Sequence, residues 1–314
     1  MDIVFQPDGI EYSKNSVVTV GTFDGVHLAH QQLLKEVVER AGARNGRSVV
    51  LTFDPHPKEV LTGRPMQLLT SMEERQQICE QIGIDVFYRI GFTYDFSRLT
   101  SRDFYLQYVI QGCGVSEVVE GYDHHFGRDR EGSVEELLKL GREFEFSVAA
   151  VKPVYIDEEV VSSSQIRQHL LDGRVERALR LLGRPYALSG TVIRGDMRGR
   201  ELGYPTANLQ MSHHKMIPHD GIYFARVDVE STHAFGMVSI GVRPTFFDQG
   251  IRTVEANLLD FEGDLYGKTM TLQFLRRLRD ERKFESAAQL IEQMHLDEQQ
   301  SRQLAAEYRT QFSK

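Results

Sequence analysis

The sequence predicts an α/β protein in two parts: an open parallel sheet with helices on both faces, then a small antiparallel β-barrel followed by C-terminal helices. Three observations carry this. Short apolar, β-rich runs alternate with helix-period segments through the first half. After Tyr186 the pattern changes to closely spaced strands broken by turns, with period-two alternation such as Met270, Leu272 and Phe274. The chain then ends in helical spacing. A length of 314 residues with 41% hydrophobic content favours two cores. The expected domains are residues 1–185 and 186–314, with the break near Gly183–Pro185.

The elements follow in order. Ser16–Val20 reads as the first strand, closed by Gly21, and Leu33, Leu34, Val37, Val38 and Ala41 then recur at helical spacing. Ser48–Phe53 is a second strand, ended by Pro55 and Pro57. Ser71 with Glu74 and Thr100 with Asp103 have the spacing of capping boxes, so each opens a helix, the second running to Ile110. Asp85–Ile90 and Val115–Glu120 are strands three and four. Ser133 and Glu136 open another helix, and Phe146–Val151 is strand five. Residues 163–182 read as two short helices joined at Gly173. The barrel strands are expected at Ala187–Arg194, Ile222–Val229, Gly236–Ile240, Thr253–Leu259 and Thr269–Phe274, with helices at Ser286–Met294 and Asp297–Phe312.

A net charge of −8 and the absence of any run of five Lys/Arg argue against a nucleic-acid binder. A polyanion site in such a chain must be built locally, from backbone N–H groups, His, Arg and metal. The two cysteines, Cys79 and Cys113, have no zinc spacing and suit a reducing compartment. Residues 1–16 lack the basic start and apolar run of a signal peptide, and no apolar stretch reaches the ~18 residues of a membrane span. A cytoplasmic protein is expected.

In an open parallel sheet, ligands gather at the carboxyl ends of the strands. Three turns fall there: the glycine turn after Val20, Asp54–Pro57 after Phe53, and Gly121–Gly127 after Glu120. In Gly21-Thr-Phe-Asp-Gly-Val-His-Leu-Ala-His30, His27 and His30 sit where a strand becomes a helix. Unpaired N–H groups and two imidazoles there suit transfer of a nucleotidyl group, because negative charge grows on the α-phosphate and on the departing pyrophosphate. A His-x-x-His pair alone is more often two ordinary surface histidines; its place after the first strand shifts the balance. Val161-Ser-Ser-Ser-Gln-Ile-Arg167 adds hydroxyls and a guanidinium at another helix start, although serines there are usually plain N-caps.

These two segments resemble the nucleotidyltransferase superfamily with its H-x-G-H and S-S/T-x-I-R signatures. Thr52-Phe-Asp-Pro-His-Pro57 and Gly121-Tyr-Asp-His-His-Phe-Gly127 narrow the resemblance to the N-terminal module of bacterial bifunctional riboflavin kinase/FMN adenylyltransferases. The resemblance implies a Rossmann-like nucleotidyltransferase sheet in which His27 and His30 stabilise the transferring phosphate. It implies ATP binding by Gly21, Phe23, Asp24, Ser163, Ser164 and Arg167, and flavin contacts from His56 and Asp123. Two departures stand out: Ala29 where the family usually has Gly, and His124-His125 where it has Phe directly after the Asp.

Gly195-Asp-Met-Arg-Gly-Arg-Glu-Leu-Gly-Tyr-Pro-Thr-Ala-Asn208 resembles the riboflavin kinase signature, whose core is G-R-x-L-G-x-P-T-A-N; a glycine-rich hairpin is the plainer reading. The resemblance makes Thr206 and Asn208 ligands of Mg²⁺ and of ATP phosphates, adds Gly195 and Arg198 to the ATP site, and makes Glu255 the base for the riboflavin 5′-hydroxyl. A lone carboxylate on a strand is otherwise a solvated one. Arg279 and Phe284 are the implied flavin contacts of this half. The expected function is phosphorylation of riboflavin to FMN, then adenylylation of FMN to FAD, with ATP as co-substrate and Mg²⁺ as cofactor, and no nucleic-acid or membrane partner. Two rivals remain at this point: a riboflavin kinase whose first domain is impaired, and a flavin-binding regulatory protein.

Overall fold

In the computed structural model, which describes residues 1–6, 9–122, 133–195, 203–243 and 251–312, the chain falls into two units, Met1–Ser163 and Ser164–Lys314. The first runs β1 (Asp2–Val4), β2 (Ser16–Val20), α1 (Leu28–Ala43), β3 (Ser48–Asp54), α2 (Pro57–Thr62), α3 (Met72–Ile82), β4 (Val86–Gly91), α4 (Tyr94–Ser97), α5 (Ser101–Phe104), a π-helical continuation over Tyr105–Cys113, β5 (Val115–Gly121), α6 (Val134–Phe144), β6 (Ser147–Val151) and a hairpin of β7 (Tyr155–Ile156) and β8 (Glu159–Val160).

Strands β1 to β6 pair in parallel in the order β1-β4-β3-β2-β5-β6. The strand order reverses at β2, which lies between β3 and β5, so the crevice for a ligand opens at the carboxyl end of β2. Both faces are covered. Val17, Val50 and Phe87 pack with Leu33, Leu34 and Val37 of α1 and with Met72 and Cys79 of α3. Val18, Leu51 and Val118 pack on the other face with Tyr105, Val109 and Cys113 of the π-helical turn and with Leu137 and Leu140 of α6. This explains why these strands are continuous apolar runs without alternation. Both cysteines are free thiols in these cores, and burial pushes each pKa up to about 12, so they act as small hydrophobes.

The second unit contains α7 (Ser163–Leu171, whose first residue closes the first unit), α8 (Val175–Leu182), β9 (Tyr186–Ile193), β10 (Ala207–Met211), β11 (Gly221–Val229), β12 (Thr232–Arg243), β13 (Ile251–Leu258), β14 (Thr269–Arg279) and α9 (Ala287–Phe312). The six strands close into an antiparallel barrel in the order β10-β13-β12-β11-β14-β9. Its interior is filled by alternate residues such as Leu188, Val192, Val238, Val254, Ala256, Leu272 and Phe274. Closure requires Gly190 on β9, where any Cβ would overlap the Gln210 carbonyl of β10.

The α/β class and the small barrel stand as the sequence predicts, with informative differences in detail. The units divide at Ser163/Ser164, earlier than the expected break near Gly183–Pro185. The reason is packing: Val175, Ala178, Leu181 and Leu182 of α8 are buried on the barrel side, Glu176 accepts the Arg277 backbone N–H at 3.1 Å, and the turn at Gly173 (φ 72°) lies against the Arg277 side chain. Strand β10 alternates Ala207, Leu209 and Met211 with Asn208 and Gln210, a period-two pattern that the reading of the glycine-rich motif leaves unassigned, and β9 and β13 pair it on both sides. The edge strand β1 is only three residues long and exists through β4. The two expected C-terminal helices are one, because the Asp297 carboxylate does not cap a new helix. It takes Nε and Nη2 of Arg279 at 3.0 and 2.7 Å and Gln293 Nε2 at 2.8 Å.

One carboxyl lies under the crevice. Glu120, at the end of β5, is almost wholly buried; its Oε1 accepts the Val20 backbone N–H at 3.0 Å and faces the Tyr105 hydroxyl at 3.5 Å. Burial raises its pKa well above the ordinary value, so the folded protein keeps a proton that the unfolded chain loses. Stability from this residue therefore falls as pH rises through and beyond the ordinary carboxyl range of roughly pH 4–5. Glu120→Gln keeps the shape without that penalty. Its melting temperature should exceed that of the natural chain near pH 8, and the gap should narrow on acidification; an equal difference at both pH values in thermal unfolding contradicts this.

Candidate active sites

The turn between β2 and α1 is the first site. Its backbone is unusual: Phe23, Gly25 and Val26 all have positive φ, at 47°, 86° and 35°. Left-handed backbone at a β-branched residue costs on the order of 1–3 kcal/mol and persists only where the surroundings fix it. The fixing groups are Asp24, Thr70 and Arg75. The Asp24 carboxylate, 1% exposed, accepts the Leu69 N–H at 3.0 Å and the Thr70 N–H at 3.1 Å. Gly25 donates its N–H to Thr70 Oγ1 at 2.8 Å. The Arg75 guanidinium, from the first turn of α3, donates to the Thr22 carbonyl at 2.9 Å and to the Thr70 carbonyl at 3.4 Å. Burial lowers the Arg75 pKa, and the Asp24 and Asp54 carboxylates oppose that shift. Ser163 Oγ donates to the Asp24 carbonyl at 2.8 Å, so the serine segment reaches this same turn.

The two histidines meet here. His27 is the N-cap of α1, and its Nδ1 accepts the His30 backbone N–H at 3.3 Å. In the neutral ring that bond puts the proton on Nε2. The imidazoles stack with centroids 3.6 Å apart, and Phe23 meets His30 edge-on at 5.2 Å. The first turn of α1 contains no acidic residue, so nothing opposes an anion at its N-terminus. Ala29 lies in that first turn, in helical backbone that suits Ala better than Gly; only contact of its methyl with a ligand distinguishes the two.

The barrel carries the second site. Val254 and Ala256 of β13 point into the core, so Glu255 points out. Thr206 Oγ1 donates to Glu255 Oε2 at 3.1 Å, and Asn208 is the direct neighbour of Glu255 across the β10–β13 ladder. Gly195 lies against the Asn208 amide, where a Cβ would overlap it. Asn257, two residues after Glu255 on the same strand face, donates to the Pro205 carbonyl at 2.8 Å. Beside Thr206 opens a cavity of about 590 Å³ lined by Val192, Ala256, Leu258 and Tyr266, with the Arg194 guanidinium 5.4 Å above the Tyr266 ring. The lining is mixed, with Thr206, Arg194, Glu262 and Asp264 beside the apolar residues.

Residues 9–165 match the FAD synthetase family, and residues 182–305 match the riboflavin kinase family. A bifunctional riboflavin kinase/FMN adenylyltransferase from Listeria monocytogenes is 37% identical over 290 residues, 92% of each chain. The one from Bacillus subtilis is 35% identical over 296 residues, 93% of each. The chain belongs to the bifunctional riboflavin kinase/FMN adenylyltransferase family. A solved structure from Streptococcus pneumoniae, described as a macrolide-efflux protein, superposes with a TM-score of 0.88 at 34% identity, covering 96% of this chain and 99% of that one. No helix among the described residues here is long and apolar enough to cross a membrane.

For this family member, the structure brings Gly21, Phe23, Asp24, His27, His30 and Ser163 to one turn, and Gly195, Thr206, Asn208 and Glu255 to one face of the barrel. Ser164 and Arg167 follow Ser163 on α7. Asp24 spends its carboxylate on the Leu69–Thr70 backbone, so its observed work is to hold the turn. His56 caps α2, with Nδ1 accepting from Lys58 N at 3.2 Å. Arg279 is paired with Asp297, and its guanidinium lies 5.9 Å from the Phe284 ring centroid. Asp123 and Arg198, with the His124-His125 departure, lie outside the described residues. The sequence reading missed Arg75, Thr70 and Asn257. A period-two count from Glu255 finds Asn257; the other two give no local signal.

Arg75 sets the integrity of the first site. Arg75→Met leaves the Thr22 and Thr70 carbonyls without their buried donor. Leaving a buried acceptor unsatisfied in this way costs about 1–3 kcal/mol. We expect a loss of that order in the urea-unfolding transition of the sheet unit, with the barrel transition unmoved; a loss under ~1 kcal/mol contradicts this role.

Proposed function

We propose that this chain transfers the γ-phosphoryl group of ATP to the 5′-hydroxyl of riboflavin, giving FMN and ADP, and then transfers the adenylyl group of a second ATP to FMN, giving FAD and pyrophosphate. The observation that carries the reading is the Thr206–Glu255 hydrogen bond beside an open cavity, with Asn208 in ladder register. We assign the kinase step to the barrel and the adenylyl step to the sheet.

In the kinase step Glu255 accepts the hydroxyl proton as the oxygen attacks the γ-phosphorus and the bond to the β-phosphate oxygen breaks. General-base help of this kind contributes roughly 10²–10⁴-fold. The donor set of Thr206 hydroxyl, Asn208 amide and Glu255 carboxylate is made of hard oxygens and fits Mg²⁺; Thr206 and Asn208 would hold it beside the ATP phosphates, where it neutralises charge. Gly195 and Arg198 belong to the ATP site of this half. Phe284, beside the fixed Arg279, offers a ring to the flavin.

In the adenylyl step an FMN phosphate oxygen attacks the α-phosphorus and pyrophosphate leaves. His27 through Nε2–H, His30 and the first N–H groups of α1 stabilise the charge that grows there. Gly21 and Phe23 shape the turn, Asp24 holds it, and Ser163, Ser164 and Arg167 take the pyrophosphate portion. His56 and Asp123 belong to the flavin side. Two free buried thiols suit a reducing, cytoplasmic setting.

Incubation with riboflavin, ATP and Mg²⁺, with flavins separated by chromatography, should give FMN and then FAD. Glu255→Gln should lower FMN formation by at least ~10²-fold and leave FAD formation from supplied FMN intact. His30→Ala should do the reverse. Ala29→Gly should alter only the KM for ATP in the second reaction. A natural chain that makes FMN but no FAD supports the kinase-only rival; one that binds flavin and turns over neither supports the regulatory rival.

A further inference from the structure

Tyr204, Pro205 and Thr206 form a short, stiff stretch. Pro205 has a fixed φ and restricts Tyr204 before it to extended backbone. Whatever fixes the Tyr204 ring therefore fixes the start of the segment that presents the Thr206 hydroxyl. The Tyr204 hydroxyl donates to Glu298 Oε2 at 3.1 Å, and Glu298 stands on α9, more than ninety residues further along the chain. Glu298 also accepts Arg302 Nε at 2.9 Å, and Arg302 Nη1 reaches Asp260 at 2.8 Å. Asp260 lies in the turn that ends β13, the strand of Glu255, with a left-handed φ of 55°. One helical turn of α9 thus holds both segments of the kinase site: the stretch leading to Thr206, and the strand end beyond Glu255.

The links are unequal. Arg302 and Asp260 are about half exposed, and exposed pairs contribute little. Glu298 is only 22% exposed and receives a hydroxyl as well as the guanidinium. Its neighbours on the helix are anchored: Asp297 by Arg279, Ser301 by full burial, and Leu304 and Ala305 by packing on Phe224 and Leu275. The Glu298 carboxylate is therefore a fixed point and Tyr204 the group it positions. The arrangement also defines a cleft of about 700 Å³ between Tyr204, Asn257, Asp260 and α9, separated from the cavity beside Thr206 by Pro205 and Leu258.

We propose that Glu298 is a positioning residue for the kinase step: acting through Tyr204, it holds the Thr206 segment in its ATP-ready place against Glu255. It touches neither substrate nor reacting atoms. Its effect is to order the segment before the nucleotide arrives, so that binding does not have to supply that ordering. This rests on the kinase reading above.

The test uses the full-length chain. Tyr204→Phe and Glu298→Ala should each raise the KM for MgATP in riboflavin phosphorylation by roughly five- to tenfold, the worth of one partly exposed hydrogen bond. The kcat should change much less. The double variant should be no worse than the worse single, because both remove one link. Glu298→Gln, which keeps an acceptor for the hydroxyl, should restore most of the affinity. Adenylylation of supplied FMN, on the other unit, should stay at the natural rate, and an unmoved urea-unfolding transition of the barrel reports that the variants are folded. A merely structural role would lower the active fraction, reducing kcat at constant KM with additive effects; that pattern, or a KM that ignores Tyr204→Phe and Glu298→Ala, overturns the proposal. If the natural chain phosphorylates no riboflavin, the kinase reading falls and this inference falls with it.

Discussion

A carboxylate removed from water must find donors, and Asp24 finds them in the backbone N–H groups of Leu69 and Thr70, more than forty residues away. That requirement ties the turn after β2 to the chain entering α3. Arg75 then completes the arrangement by taking the Thr22 and Thr70 carbonyls from the same side. The turn can keep three residues in left-handed backbone because these bonds leave it no alternative. The stacked histidines and the N-terminus of α1 inherit their position from it. A first site of this kind needs little chemistry from its side chains and much rigidity from its support, as expected where fixed dipoles stabilise a transferring phosphate.

The barrel solves the same problem by different means. Its reactive groups lie on strands, where the ladder fixes positions and alternation sends Glu255 outward while Val254 and Ala256 hold the core. Asn208 cannot shift without shifting β10, and β10 is paired on both sides. The one group on irregular chain, Thr206, is tied by its hydroxyl to Glu255, by Asn257 through the preceding carbonyl, and by Tyr204 to α9. The acidic net charge is no obstacle in either unit: donors are gathered where the phosphates would sit, and the surface charge elsewhere serves solubility.

Buried ionisable groups play three distinct parts. Cys79 and Cys113 are held neutral and fill volume. Glu117 of β5 pairs with Arg40 of α1 and with Arg44, the residue that caps that helix, at 2.9 Å each, which fastens the C-terminal end of α1 to the sheet. Glu120, three residues on, is held neutral by burial and joins β5 to the last residue of β2. A single strand thus carries a carboxylate that fastens a helix by charge and a carboxyl that joins two strands by hydrogen bonding. Both are buried, so the nearness of Arg decides which is which.

The sequence by itself determined the parallel sheet and the switch to a barrel, and it brought forward His27, His30, Thr206, Asn208 and Glu255 as candidates. These are local facts: β-rich runs, helical spacing, capping pairs and short motifs sit within a few residues of one another, and physical period translates directly into pattern. Only the tertiary structure decided the rest. Strand β1 is three residues long and exists through β4; α8 joins the barrel because its apolar face is covered there; and the C-terminal segment is one helix because Arg279 claims the carboxylate that would have capped a second. Arg75, Thr70, Tyr204 and Glu298 were illegible for the same reason. Each acts through a hydrogen bond to a residue tens of positions away, and the free energy of such a contact depends on burial and distance, which no stretch of sequence contains.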